Sequence, residues 1–169
     1  MNIILDMDGT IIDNYSSMQE TIIIARPYLR EFLHYLFSHH ERISIWTNGS
    51  SRWYNKCFNE CIQHHMPQDK SFDFVITYDD CLVRNKTTCP KSLSLIYDKY
   101  SNYSEHNTIM IDDSPHTLKD NMDNGILISS YEYEEDDHDL DNELLKMINI
   151  ITAISNSKSI IVDDYIIIN

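Results

Sequence analysis

The 169-residue chain carries 27 acidic against 13 basic side chains, a formal net charge of −14, with 42% hydrophobic residues. That length suits one domain with a sizeable core and leaves little room for a second, and the apolar fraction excludes a disordered chain. So acidic a surface repels nucleic-acid backbones and anionic membranes, so neither direct polynucleotide binding nor a membrane role is expected.

Residues 2–5 (Asn-Ile-Ile-Leu) form a short apolar run ending in carboxylates, the pattern of a buried strand. No basic segment or signal-like apolar segment precedes it, and no apolar run is long enough to span a bilayer, so a soluble, intracellular protein (cytoplasm or nucleus) is expected. Pro27 opens a helical pattern, with Leu29, Phe32, Leu33, Leu36 and Phe37 on one face. Residues 43–46 read as the second strand. Tyr54, Cys57, Phe58, Cys61 and Ile62 repeat the helical spacing, and residues 72–77 read as a third strand.

Leu93, Ile96, Tyr97 and Tyr100 mark a third helix, 108–111 a fourth strand and 126–129 a fifth. Leu140, Leu144, Leu145, Ile148 and Ile151 mark a last amphipathic helix. The alternation predicts an α/β fold, a Rossmann-like three-layer sandwich with a mostly parallel central sheet. The domain is expected over 1–155, followed by a tail at 156–169 whose β-branched runs (159–168) could add a strand.

In such folds the ligand site lies beyond the carboxyl ends of the strands. Asp6-Met7-Asp8-Gly9-Thr10 follows the first strand, Thr47-Asn48-Gly49-Ser50 the second and Asp112-Asp113-Ser114-Pro115 the fourth, while Lys91 opens the third helix. Carboxylates from two loops make a hard, oxygen-rich site that suits Mg²⁺, and without a cation they would repel one another. One carboxylate can attack phosphorus and a second can move a proton. Thr47 and a lysine supply a hydroxyl and a positive charge to phosphoryl oxygens, and backbone N–H groups near Gly9 and Gly49 could add donors. Lys86 rivals Lys91 for the lysine role. With three glycines in the whole chain, Gly9 and Gly49 are expected where the backbone needs them.

These segments resemble, in order, the four motifs of the haloacid dehalogenase (HAD)-like phosphatases: Asp6-Met7-Asp8-Gly9-Thr10, Ile45-Trp46-Thr47-Asn48, Lys91 and Ile111-Asp112-Asp113-Ser114. A narrower set is similar to the branch of RNA polymerase II C-terminal-domain phosphatases and NLI-interacting-factor-like proteins. It comprises Arg26-Pro27-Tyr28-Leu29-Arg30-Glu31-Phe32-Leu33, Lys91-Ser92-Leu93-Ser94, Asp112-Asp113-Ser114-Pro115, and Asp136-Asp137 with Leu140.

The resemblance implies a capless or minimally capped HAD-like fold and a Mg²⁺-dependent phosphatase working through an aspartyl-phosphate. Asp6 would be nucleophile and metal ligand. Asp8 would be general acid/base and would bind the metal through its carbonyl. Asp113 would ligate the metal, Asp112 would ligate it or stand just behind, and Thr47, Asn48 and Lys91 would hold the phosphoryl group. The implied partner is a phosphoserine or phosphothreonine protein or peptide. Gly9, where that branch often has glutamate, and the short stretch between Thr10 and Arg26 keep open a small phosphorylated metabolite, such as a nucleotide or sugar phosphate. A non-catalytic scaffold on the same fold is the third reading.

Arg26 reads equally as a substrate contact or as a residue leading into a helix. Cys57, Cys61, His64 and His65 do not have the spacing of a zinc finger, and the two cysteines fall on an apolar helical face. The four cysteines (Cys57, Cys61, Cys81, Cys89) fit a reducing compartment. The acidic stretch 132–139 reads as a solvated loop before a helix.

Overall fold

The computed structural model describes residues 1–18, 20–80, 90–121, 123–134 and 138–156. Five strands form one sheet in the order β5-β4-β1-β6-β7: Asn2–Leu5 (β1), Arg42–Trp46 (β4), Val75–Ile76 (β5), Thr108–Asp112 (β6) and Gly125–Leu127 (β7). Every pairing in it is parallel. Each of the three central strands sends alternate side chains to opposite faces. Ile3, Leu5, Ile43, Ile45, Ile109 and Ile111 join one core, while Ile4, Trp46 and Met110 join the other.

Leu29–His39 (α1), Ser51–Glu60 (α2) and Glu143–Asn156 (α5) supply residues to the first core. Leu93–Lys99 (α3) closes the second. Burying each such Ile or Leu contributes roughly 1.5–3 kcal/mol, so sheet and helices hold each other in place. The α/β three-layer architecture is the one expected. Among the described residues no helix is long and apolar enough to cross a membrane.

The structure differs from the sequence reading at several points. An antiparallel hairpin, Ile12–Ser16 (β2) with Thr21–Ala25 (β3), fills the short stretch before Arg26. A single helical turn, Pro115–Leu118 (α4), follows β6.

Helix α1 begins at Leu29 rather than at Pro27. Tyr28 takes a left-handed conformation (φ 64°), and the Leu29 N–H donates to the Arg26 carbonyl at 3.1 Å, so a turn intervenes. Helix α2 stops at Glu60, and Ile62 lies on a separate 3₁₀ turn, Ile62–His65, while staying fully buried. Only Val75–Ile76 of the 72–77 run pairs as a strand. Leu140 lies outside the last helix and is exposed. The expected tail strand at 159–168, Lys86, Cys81, Cys89 and the Asp136-Asp137 pair lie outside the described residues.

Candidate active site

The chain runs outward from β1 through β4 to β5, then returns to the other side of β1 to form β6 and β7. The crevice beyond the carboxyl end of β1 is therefore the topological switch point. Asp6 and Asp8 follow β1 there, Thr47 follows β4, Asp112 ends β6 and Asp113 follows it. The β1 loop is tightly wound, with the N–H groups of Thr10, Ile11 and Ile12 all donating to the Met7 carbonyl. Gly9 turns it at φ +74°. A side chain at Gly9 would also collide with the Asp113 carboxylate, so this glycine serves both the turn and the close approach.

Lys91 is the central cation. Its ammonium is ion-paired with Asp6 Oδ1 and lies 2.9 Å from Asp112 Oδ2. All three side chains are buried. Asn121 fixes the approach of this segment by donating to the Lys91 carbonyl at 2.6 Å and accepting the Leu93 N–H at 2.8 Å. The Thr10 hydroxyl lies 3.2 Å from Asp6 Oδ2 and 3.4 Å from Asp113 Oδ1, and Ser130 donates to Asp113 Oδ2 at 2.8 Å.

Asp8 faces the opposite wall. Its Oδ1 accepts the Trp53 indole N–H at 2.7 Å, and its Oδ2 lies 3.4 Å from the Thr47 hydroxyl. Asn48 follows Thr47 and is exposed. The N–H groups of both glycines are engaged, Gly9 with the Ile12 carbonyl and Gly49 with the Thr47 hydroxyl at 2.9 Å.

The electrostatics follow from burial. Loss of water pushes Asp6 up to about 7, against the pull of the Lys91 charge. Burial likewise pushes Asp8 above the ordinary carboxylate range, opposed by its Trp53 and Thr47 hydrogen bonds. Burial opposes the charge on Lys91, but Asp6 and Asp112 outweigh it and raise the ammonium pKa. Asp6, Asp112 and Asp113 each bring a carboxylate oxygen within 4.8 Å of one another. That donor set contains only oxygens, and together with Asp8 it faces one lysine, so the residues fit a hard divalent cation.

With these acids at the switch point of a parallel sheet around a buried lysine, the sequence pattern of the NLI interacting factor-like phosphatases matches residues 1–161. The chain belongs to the NLI interacting factor-like phosphatase family. Among curated members, the ubiquitin-like domain-containing CTD phosphatase 1 of Homo sapiens is 27% identical, over 99% of this chain and 52% of the relative. The ubiquitin-like domain-containing CTD phosphatase of Arabidopsis thaliana is 28% identical over 90% of this chain and 46% of its own length. The chain thus spans about half the length of the curated relatives it matches.

Among solved structures, Fcp1, described as an essential RNA polymerase II CTD phosphatase, aligns with a TM-score of 0.56 and 20% identity. That alignment covers 91% of this chain and 48% of Fcp1. A HAD-superfamily hydrolase from Ehrlichia chaffeensis aligns with a TM-score of 0.58 and 14% identity, over 91% of this chain and 97% of the other. At such identities these two structures establish the fold, which is HAD-like.

Sequence reasoning missed Trp53, Asn121, Asp141 and Ser130 around this NLI interacting factor-like site. Trp53 was hidden because a tryptophan on a helix reads as core. Asp141 and Ser130 lie in an irregular segment with no periodic signal. Arg26 does not reach the carboxylates. It is buried, forms a two-point pair with Asp141 (3.0 and 2.8 Å), and donates to the carbonyls of Thr10 at 3.0 Å, Gly9 at 3.3 Å and Ser129 at 2.8 Å. Its guanidinium fastens the back of the β1 loop to the 129–141 segment. Cys57 and Cys61 are buried free thiols, both pushed up by burial, to about 12 and about 11. Packed and inert, they are not part of the site.

Proposed function

We propose that the protein is a Mg²⁺-dependent phosphomonoester hydrolase that works through an aspartyl-phosphate on Asp6 and acts on phosphoserine or phosphothreonine in a protein or peptide. The observation that carries this reading is the buried Asp6 carboxylate at the end of β1, held by Lys91 and Thr10, with Asp8 on the facing wall. Asp6, Asp112, Asp113 and the Asp8 carbonyl would hold Mg²⁺, which when bound supplies positive charge to the phosphoryl oxygens and to the carboxylates.

An oxygen of Asp6 attacks phosphorus, and the bond from phosphorus to the seryl or threonyl oxygen breaks. Asp8 gives its proton to that departing oxygen, releasing the alcohol. Asp8, now a carboxylate, takes a proton from the water that attacks the aspartyl-phosphate. Inorganic phosphate leaves and Asp6 returns to its starting state. Lys91 and Thr47, with Asn48 at the mouth, offset the charge on the transferring group. Burial raises Asp8, which favours the protonated form that the first step requires.

The protein substrate class is supported by the curated relatives, which are named CTD phosphatases. It is also supported by a site over which, among the described residues, no cap domain is inserted. The test is turnover of phosphoserine and phosphothreonine peptides with Mg²⁺, beside a panel of phosphorylated metabolites. Asp6→Asn is expected to lower kcat at least about 10³-fold with the fold preserved. Preference by orders of magnitude for one metabolite would overturn the substrate assignment, and normal kcat in Asp6→Asn would overturn the chemistry.

A further inference from the structure

We propose that Trp53 is the positioning residue for Asp8, holding one carboxylate oxygen so that the other, Oδ2, carries the proton that Asp8 gives and takes. The inference rests on the phosphatase reading above. Trp53 lies in the first turn of α2, where its backbone N–H is capped by the Ser50 hydroxyl at 3.2 Å. The cap fixes the backbone, and the half-buried indole packs against the main core. From that base its N–H reaches Asp8 Oδ1 at 2.7 Å.

An indole N–H donates and cannot accept. It therefore engages Oδ1 as an acceptor and leaves Oδ2, held only by the longer Thr47 contact, as the oxygen free to exchange a proton with substrate and water. The second donor to Asp8, the Thr47 hydroxyl, is farther away at 3.4 Å and is itself the acceptor of the Gly49 N–H. Trp53 is thus the stronger of the two holds.

Gly49 completes the device. A Cβ at that position would stand 2.7 Å from Trp53 Cδ1 and 3.6 Å from Asp8 Oδ2. The missing side chain leaves room for the indole and keeps the approach to Oδ2 open. Gly49 is required here by contact rather than by backbone angle, since it is absent from the positive-φ residues.

The decisive experiment compares kcat/KM for an alkyl phosphomonoester, a phosphoserine peptide, with that for 4-nitrophenyl phosphate, whose departing oxygen needs little help from an acid. Trp53→Phe keeps the ring and removes the N–H. It is expected to lower kcat/KM for the phosphoserine peptide by about 10–100-fold, a part of the usual acid–base contribution, and that for the aryl ester by under about 3-fold. Gly49→Ala, which crowds the indole without deleting its N–H, is expected to give the same split.

Equal losses on both substrates, or no loss on either, would overturn the proposal. A second readout does not depend on turnover. The chain has two tryptophans, so Trp53→Phe assigns the Trp53 indole N–H resonance in a proton–nitrogen NMR spectrum. That resonance is expected to shift when Asp8→Ala removes the acceptor of the indole N–H, and an unmoved resonance would also overturn the proposal. Failure of the unaltered protein to turn over either ester would instead overturn the phosphatase reading, leaving the resonance to decide the contact.

Discussion

Arg26 engages all five of its N–H groups inside the protein, two on Asp141 and three on backbone carbonyls. Lysine cannot reproduce that planar fork. Arg26→Lys is therefore expected to cost about 3–5 kcal/mol in urea unfolding, the range for breaking a buried pair and leaving its partners unmet. A loss under about 1 kcal/mol would mean that the clamp is dispensable. His40 makes a different prediction. Its Nε2 is buried without a partner among the described residues, and burial pushes its pKa down to about 4 from 6.5. Above 6.5 both folded and unfolded chains hold it neutral. As pH falls from about 6.5 to about 4, the unfolded chain takes up a proton that the folded chain refuses, so stability is lost over that window. His40→Gln is expected to lose less of its urea midpoint than the unaltered protein between about pH 7 and 5. At this scale the sequence disclosed the acids, since Asp6, Asp8, Asp112 and Asp113 sit in local motifs. It did not disclose two of the partnerships around them: Trp53 meets Asp8, and Asp141 meets Arg26, only through tertiary contacts 45 and 115 residues apart in sequence.

Helix α2 carries the loop that ends in Thr47 and Gly49, and its start is held by several bonds. Ser50 caps Trp53, the Ser51 N–H donates to Asp79 at 2.7 Å, and the Ser51 and Thr77 hydroxyls meet at 2.8 Å. Ser50→Ala is expected to lower stability by about 1 kcal/mol and Ser50→Asp to retain most of it, checked by thermal or urea unfolding. Equal losses in both would show that the hydroxyl is not acting as a cap. The helices were legible because their apolar residues recur on one face, as Leu29, Phe32, Leu33 and Leu36 do, and all four are buried. Their ends were not, since Tyr28 at φ 64° and the break at Cys61 are set by neighbouring packing rather than local preference. The β2–β3 hairpin escaped because β2, with Asp13, Asn14 and Ser16, lacks an apolar alternation. Its partner β3 packs Ile23 and Ala25 on the main core.

Across the whole molecule, the parallel sheet converts four separated segments into one site. Strand order places β1 between β4 and β6, so Asp6, Thr47 and Asp112 arrive side by side from distant parts of the chain. That convergence was readable from the alternation of strand and helix, and Lys91 from the family resemblance, whereas its two buried carboxylate partners became visible only in the fold. In a chain with an overall charge of −14, the buried Lys91 ammonium is a local counterweight to the acids. The central claim is covalent chemistry at Asp6, and Asp8→Asn offers the most direct view of it. With 4-nitrophenyl phosphate and Mg²⁺ the first step needs little acid, while the second lacks its base, so the phosphoryl enzyme should accumulate. Acid quenching followed by mass spectrometry of the digested protein is predicted to find the phosphoryl group on the peptide containing Asp6. A phosphoryl group on another residue, or none while nitrophenol is released, would contradict the account.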